Sequence, residues 1–174
     1  MLYTRKGDGG TTKTFGCDQK IAKSSAVAEA LGSLDEINSL LGVCKIKAPA
    51  DLAVIVGRAQ QDLFIVQAEL AAADKHLGEA KVKEVEKIID EIERELPPIT
   101  TFFVSGGTEL AASFDHARTV ARRAERRAVA AREAGAELGD ITMGYLNRLS
   151  SLLYALARLA NHRAGVAEEP PTYE

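Results

Sequence analysis

Five stretches of the chain carry apolar residues at the spacing of an amphipathic helix, and this periodicity limits the fold more than any other feature. The first stretch begins near Ser24 or Ser25, either of which is a plausible N-cap, and Pro49 ends it. The other four cover these ranges: Asp51 to about Asp74, Glu79 to Glu95, roughly Thr108 to Glu133, and Asp140 to about Arg163. Because short connections join the stretches, the sequence predicts an all-α fold, a five-helix bundle.

The composition is typical of a soluble helical protein. The chain has 174 residues, enough for one domain with a sizeable core, and 46% of them are hydrophobic. The formal net charge of -3 argues against a protein that coats nucleic acid through bulk charge. No apolar run approaches the ~20 residues of a membrane-spanning helix, and the two cysteines, Cys17 and Cys44, cannot form a disulfide framework. We therefore expect a cytoplasmic protein with no membrane or nucleic-acid partner.

Three segments lack helical periodicity. Residues 1–22 hold several glycines, Gly16 among them, and form either an ordered loop or a floppy tail. Residues 99–104 are β-branched and aromatic, which leaves a strand and an extended loop equally open. Residues 166–174 are predicted to be a loose tail. We expect one domain over 1–174, with the helical bundle at 24–164.

The periodicity also predicts which side chains face the core. In the second helix the predicted inward residues are Leu52, Ile55, Val56, Leu63, Phe64, Val66 and Leu70. In the fourth they are Leu110, Phe114, Ala117, Ala121 and Ala128.

The fourth helix is unusually rich in arginine. It carries Arg118, Arg122, Arg123, Arg126, Arg127 and Arg132 against few nearby acids. Arg118, Arg122 and Glu125 fall on nearly one direction beside the apolar face, where we expect them to be partly buried. Unpaired charge is costly there, so an anion should meet the row, and the arginine fork suits phosphate. The alternative is a solvated face with ion pairs along the helix.

Two further groups of polar residues could support that function. The run from Thr4 to Lys13 combines three glycines and three threonines with basic side chains, and glycines allow backbone N–H groups to converge on a phosphate. Asp35, Glu36 and Asn38 lie beside the apolar stripe of the first helix, where an acid could pair with a surplus arginine or face solvent. Asn147, at the core margin of the fifth helix, is by spacing alone a structural residue.

The sequence offers no metal or nucleophile motif. His76, His116 and His162 are scattered without paired spacing. No nucleophile–base arrangement can be argued either. Any catalysis should therefore come from positioning and electrostatics.

Several motifs, in order along nearly the whole chain, resemble those of the PduO-type ATP:cob(I)alamin adenosyltransferases. They are Tyr3–Thr12, Gly32–Ser39, Gln60–Ala71, Phe102–Gly107 with His116–Arg127, and Tyr145–Ser150. The resemblance implies a ferritin-like five-helix bundle, a homotrimer and active sites between subunits. It also implies the attack of cobalamin Co(I) on the 5′ carbon of ATP, which gives adenosylcobalamin and triphosphate, with Mg²⁺ accompanying ATP and a Co(II) reductase as a possible partner.

The resemblance also implies roles for individual residues. Residues 1–22 would be the ATP-binding loop, and the residues around ATP would be Thr4, Arg5, Lys6, Gly7, Thr12, Lys13, Lys23, Arg122, Arg123, Glu125, Arg126 and Asn147. Arg118 would pair with Asp35 of the neighbouring subunit and, with Arg122, hold the triphosphate. Phe102 would press on the lower face of the corrin and exclude its lower ligand.

Four positions depart from the family pattern. Ser105 stands where proline is usual, Val27 where arginine is common, Ser151 where aspartate is frequent, and Arg5 where lysine is usual. Two other readings of the arginine helix remain: a non-catalytic module that binds RNA or an acidic partner, and a ligand-sensing homologue without turnover.

Overall fold

The computed structural model of the chain describes residues 3–14 and 20–173, and these contain five α-helices and two short β-strands. The helices are α1 (Ala26–Lys47), α2 (Ala50–Leu70), α3 (Glu79–Glu95), α4 (Glu109–Glu133) and α5 (Asp140–Arg163). The strands are β1 (Thr11–Lys13) and β2 (Lys20–Ala22). The all-α bundle predicted from periodicity is confirmed. Gly16 and Cys17 lie outside the described residues, as do the ends of the predicted loop and tail.

Capping residues set the helix ends. Ser25 Oγ accepts a hydrogen bond from Ala28 N at 3.3 Å at the start of α1, as the sequence predicts. Thr108 Oγ1 accepts one from Ala111 N at 3.1 Å and begins α4 in the same way. The predicted end of the second helix near Asp74 is wrong by about one turn: α2 ends at Leu70, because Ala72 takes a positive φ of 61°.

The start of α5 is capped from another helix. Its N-cap, Gly139, has no side chain, and the buried carboxylate of Glu69 at the end of α2 takes over that role. Glu69 accepts hydrogen bonds from Gly139 N at 2.8 Å and from Thr142 Oγ1 at 2.5 Å. A carboxylate is favoured at this position because the free N–H groups of a helix start carry partial positive charge.

A single hydrophobic cluster contains buried residues from all five helices. Helix α4 packs against α1 and α5, α3 packs against α5, and α1 packs against α2. Most of the buried residues of α4 are alanines, and we call them the alanine face: Ala111, Ala117, Ala121, Ala124, Ala128 and Ala131. Such small side chains let the helix axes approach closely, which brings the backbone of α4 near its neighbours.

The predicted core needs one correction. Phe64 is 61% exposed, so its predicted inward orientation is wrong. It follows Leu63, which is fully buried, and adjacent residues of a helix point in directions 100° apart. Leu110 of α4 is only partly buried, at the edge of the cluster.

The segments without helical periodicity differ from one another. The described part of the N-terminal segment contains an antiparallel pair, with Thr12 opposite Ile21. Residues 99–104 form no strand and belong to a loop between α3 and α4. The described part of the tail after α5, residues 164–173, has no helix or strand, but it is attached to that loop, since Val104 N donates to Glu169 O at 2.8 Å. None of the helices in the described residues has the length and apolar character to cross a membrane.

Candidate active site

A cavity of about 730 Å³ lies between the α3–α4 loop and helices α3, α4 and α5. Its wall includes Phe102 and Phe103 from the loop and Arg118 and Arg122 from α4. The spacing of Arg118 and Arg122, four residues apart on one helix, places both on the same face. The cavity therefore brings an exposed aromatic ring together with two guanidinium groups.

Contacts within the chain orient Arg118. Its Nε lies 3.4 Å from Asp115 Oδ1, and its guanidinium carbon lies 5.9 Å from the centre of the Tyr154 ring. Burial raises the pKa of the Tyr154 hydroxyl, which keeps this ring neutral beside the cation. Arg118 is thus held between a carboxylate and an aromatic face, with a quarter of its side chain still exposed.

Arg122 is exposed, which corrects the prediction that the whole row of Arg118, Arg122 and Glu125 is partly buried. Within residues 3–14 and 20–173, the side chains of Arg122 and Arg126 form no hydrogen bond or ion pair. Their planar donor forks are available to a ligand, and such forks match the oxygens of a phosphate group.

The other arginines of α4 have partners, which corrects the expectation that too few acids surround them. Arg123 pairs with Glu36 of α1, so for this acid the structure shows the first of the two alternatives that the sequence left open, a pair with a surplus arginine. Arg127 Nε lies 3.4 Å from Oε1 of Glu29, also on α1. A terminal nitrogen of Arg132 lies 2.8 Å from Asp140 Oδ1 at the start of α5. The acids that pair with these three arginines lie on the neighbouring helices α1 and α5 rather than on α4.

Asn147 and Glu125 meet at the junction of α4 and α5. Asn147 Nδ2 donates to Glu125 Oε1 at 2.9 Å, and Asn147 Oδ1 accepts from Arg148 at 2.7 Å. Neither residue is among those that line the cavity. The structure therefore brings these two predicted ATP residues together, next to the arginine row but outside the cavity wall.

The N-terminal residues form a compact turn. Arg5 has a positive φ of 58°, and Gly10 N donates to Gly7 O at 3.2 Å. A Cβ atom at Gly7 would lie 3.1 Å from Lys23 Nζ, so this ammonium group lies directly beside the glycine. Lys6 N donates to Thr4 Oγ1 at 3.4 Å. Thr12 and Lys13 belong to β1, which continues from this turn. A glycine-containing turn beside an ammonium group is the type of arrangement that can bind an anion.

The N-terminal turn and the cavity remain separate within one chain. Among the described residues, no hydrogen bond or ion pair of Thr4, Arg5, Lys6, Gly7 or Lys23 reaches α4. Asp35 is exposed on α1 and likewise has no ion-pair partner in that part of the chain. In the described part of the chain, no hydrogen bond or ion pair thus joins the N-terminal turn to the arginines of α4.

Sequence reasoning missed three residues that support the cavity. Tyr154 and Arg158 of α5 line it, and Asn161 holds the end of the α3–α4 loop. Their signal was present: Arg158 and Asn161 are polar residues that interrupt an apolar helix face, and both are buried, 5% and 6% exposed. Buried polar groups need partners, so such interruptions mark specific contacts.

The described residues contain no group of three or more histidine, cysteine or acidic side chains that could hold a metal ion. Cys44 is buried in the core, and burial raises the pKa of its thiol to about 11.

The geometry of the cavity, with Arg118 and Arg122 beside Phe102, suits a reaction in which arginines stabilise negative charge beside an apolar wall.

Residues 2–160 match the family described as cobalamin adenosyltransferase. The corrinoid adenosyltransferase PduO of Citrobacter freundii is 38% identical over 174 aligned residues, which cover 94% of this chain and 50% of that protein. The corrinoid adenosyltransferase of Bacillus subtilis is 35% identical, covering 96% of this chain and 90% of its own length. The chain spans about half the length of the PduO relatives that it matches.

Solved structures agree with the sequence relatives. A variant PduO-type ATP:corrinoid adenosyltransferase from Lactobacillus reuteri, complexed with cobalamin and ATP, superposes with a TM-score of 0.92 at 30% identity. The match covers 99% of this chain and 97% of that one. A second variant from the same organism, complexed with ATP, gives a TM-score of 0.90 at 29% identity and covers 98% and 100% of the two chains.

Proposed function

The chain belongs to the cobalamin adenosyltransferase family, and from this premise we propose that it transfers the 5′-deoxyadenosyl group of ATP to the Co(I) of reduced cobalamin. The observation that carries the proposal is the cavity in which Phe102 meets Arg118 and Arg122. It offers an apolar wall for a corrin and guanidinium groups for a polyphosphate. The products are adenosylcobalamin and triphosphate.

The reaction needs little chemistry from the protein. The electron pair of Co(I) forms the bond to C5′ of ATP, while the C5′–O bond breaks and its electron pair leaves with the triphosphate. Co(I) is itself a strong nucleophile, so no side chain has to act as a base. The protein's task is to align the two substrates and to stabilise the negative charge of the leaving group.

The residues divide this task. Arg122, exposed and without a partner in the described part of the chain, contacts the triphosphate. Arg118 lies on the same face and adds a second positive charge. Phe102 lies against the lower face of the corrin and excludes its lower ligand, which makes the cobalt easier to reduce. Arg126, Glu125 and Asn147 extend the nucleotide site along the α4–α5 junction.

The separation of the two anion-binding groups supports an active site between subunits of a homotrimer. The N-terminal turn, with Thr4, Arg5, Lys6, Gly7 and Lys23, would reach the α4 arginines of the adjacent chain. Thr12, Lys13 and Arg123 would complete the ATP contacts, with Arg123 exchanging its partner Glu36 for the nucleotide. Arg118 uses only its Nε toward Asp115, which leaves its terminal nitrogens for Asp35 of the neighbouring subunit.

Three further elements belong to the same proposal. Mg²⁺ would accompany ATP, held mainly by phosphate oxygens and water, the ligands that it prefers beside a nucleotide. A reductase supplies the electron that converts Co(II) to Co(I). The reaction takes place in the cytoplasm.

The RNA-binding alternative is not supported. Arg123, Arg127 and Arg132 are engaged in ion pairs with neighbouring helices, so α4 presents fewer free cations than its sequence suggests. The relatives that match over most of this chain are enzymes by name.

A turnover assay tests the proposal. The protein is incubated with MgATP and chemically reduced cobalamin, and the absorption spectrum of adenosylcobalamin is followed, with samples lacking ATP as the control. Formation of adenosylcobalamin together with one equivalent of triphosphate is the expected result. Folded protein with verified Co(I) and no product would exclude the transferase, and binding of both substrates without product would identify a sensing homologue.

A further inference from the structure

Phe102 does not hold its own position. Its side chain is 78% exposed, so packing against the core does not fix it. It lies in the loop between the end of α3 at Glu95 and the start of α4 at Glu109, which contains no helix or strand. Its orientation toward the cavity therefore depends on contacts that attach this loop to the helices.

Asn161 of α5 attaches the C-terminal part of the loop. Its Nδ2 donates to Gly106 O at 2.8 Å, and its Oδ1 accepts from Thr108 N at 2.9 Å. Gly107 lies between these two contacts with a φ of 96°, and a Cβ atom there would overlap the Asn161 amide. The backbone passes so close to Asn161 that only glycine fits. Asp115 of α4 adds a contact, accepting from Gly106 N at 3.2 Å.

Arg158, three residues earlier on the same face of α5, attaches the start and the middle of the loop. Its terminal nitrogen donates to Pro97 O at 3.1 Å. Its guanidinium carbon lies 5.2 Å from the centre of the Phe103 ring, within range of a cation–π contact. Because Phe103 is the direct neighbour of Phe102, fixing one ring restricts the backbone that carries the other.

The tail after α5 completes the arrangement. Arg158 is 5% exposed and needs a counter-charge, which Glu168 provides. Arg158 Nε donates to both Glu168 oxygens, at 3.0 and 2.9 Å, and its terminal nitrogen lies 2.8 Å from Oε2. The next residue, Glu169, accepts from Val104 N at 2.8 Å. The tail is thus linked both to the arginine that holds the loop and to the loop itself.

From these contacts we propose that Arg158, Asn161 and Glu168 are positioning residues that hold Phe102 at the cavity, so that the tail acts on the cobalamin side of the reaction without touching the substrate. The inference rests on the proposed function for the identity of the substrate. The contacts between tail, α5 and loop do not depend on it. Loss of these contacts should raise the KM for cobalamin and leave ATP binding unchanged.

The test compares two isosteric substitutions. Glu168→Gln removes the charge that balances Arg158 and keeps the side-chain shape. Glu95→Gln is the matched control, because Glu95 likewise accepts two hydrogen bonds from an arginine of α5, Arg163 at 2.9 and 3.2 Å, and does not line the cavity. Arg158→Lys is a second variant, which keeps the charge but cannot contact Glu168, Pro97 and Phe103 together.

Three readouts separate positioning from general damage. Amide hydrogen exchange over residues 97–108 reports the mobility of the loop without substrate. The KM for reduced cobalamin and the KM for ATP are measured separately. The EPR spectrum of bound cob(II)alamin with ATP reports whether the lower nitrogen ligand has left the cobalt. Thermal unfolding verifies that each variant folds.

In Glu168→Gln we expect faster amide exchange over residues 97–108 and a smaller fraction of cobalt without its lower ligand. The KM for cobalamin should rise about tenfold, as the loss of a hydrogen bond to a charged group predicts. The KM for ATP should stay within about twofold, since a residue that contacts no nucleotide removes no binding energy from it. Glu95→Gln should match wild type in all three readouts.

Unchanged amide exchange over residues 97–108 in Glu168→Gln, or an equal rise of KM for cobalamin and for ATP, would overturn the proposal that these residues hold Phe102 in place. If wild type turns over and Glu168→Gln matches it in every readout, the inference fails and the proposed function stands. If wild type gives no adenosylcobalamin, the proposed function fails, and the exchange data alone then decide whether α5 and the tail hold the loop.

Discussion

Replacing Arg122 by alanine should separate catalysis from stability. The side chain is exposed and has no hydrogen bond or ion pair within the described residues, so folding gains almost nothing from its charge. Alanine has the highest helix propensity, and Arg122 lies in the interior of α4. We therefore expect the free energy of unfolding to change by less than about 0.5 kcal/mol, as for other surface substitutions.

The activity should fall steeply in the same variant. Arg122 is proposed to meet the charge that develops on the triphosphate, and losing one donor of this kind costs about 3 kcal/mol of transition-state stabilisation. That energy corresponds to roughly a 150-fold loss in kcat/KM. The loss should appear in kcat as well as in KM, because the leaving group gains charge only as the C5′–O bond breaks.

The assay follows the formation of adenosylcobalamin as MgATP is varied at saturating reduced cobalamin, with urea unfolding measured on the same preparations. Arg132→Ala is the matched control: it removes an arginine of α4 that pairs with Asp140 and lies outside the cavity wall. It should leave kcat/KM near the wild-type value. Activity of Arg122→Ala within threefold of wild type, or an equal loss in Arg132→Ala, would refute the assigned role.

Three further predictions concern the core. Glu69→Gln leaves either Gly139 N or the buried Thr142 hydroxyl at the start of α5 without a good acceptor, which should cost about 1–3 kcal/mol and lower Tm by about 2–4 °C per kcal/mol, seen in a thermal melt. Tyr145→Phe removes the hydroxyl that donates to buried Asp62 at 3.2 Å and should cost about 1–2 kcal/mol in urea unfolding with adenosyl transfer unchanged. In a Cys17→Ser background, Cys44 should stay unreactive to a disulfide reagent at pH 8 until the protein unfolds. Burial raises the pKa of the Cys44 thiol from 9.0 to about 11, so above pH 9 the thiol ionises more readily in the unfolded chain than in the folded one. The free energy of unfolding that Cys44 contributes is therefore intact below pH 9 and is lost as pH rises toward 11. Urea titrations across that pH range measure this loss.

Local signals in the sequence predicted the helices well. Ser25 caps α1 and is one of the two serines that the sequence offered, and α4 begins after Thr108, near the predicted start, because an N-cap depends on neighbours within one turn. The end of α2 was less predictable, since the chain after Leu70 still reads as helical and the break comes from the positive φ of Ala72. Phe64 shows the same limit, because an apolar residue next to a core residue need not be buried itself.

The site was predictable only in part. The cavity brings together Phe102 and the arginines that the sequence pointed to, but the pairing of Arg123 with Glu36 joins residues 87 positions apart (123 − 36), and no local pattern encodes it. The contacts of Arg158 and Asn161 also reach more than fifty residues along the chain, to Pro97 and Gly106. A polar residue within an apolar helix face indicates that it has a specific partner, whereas only the folded structure shows which residue that partner is.

The inward alanine face and the exposed arginine face of α4 differ in the substitutions that they tolerate. A larger side chain at any of those alanines would have to push apart helices that already pack at close range, and the whole arginine row would move with the backbone. The exposed arginines, by contrast, can be exchanged with little effect on folding. Mutation can therefore alter the ligand chemistry of this helix far more freely than its placement, so related chains with a different substrate are expected to keep small residues inward and vary on the outer face.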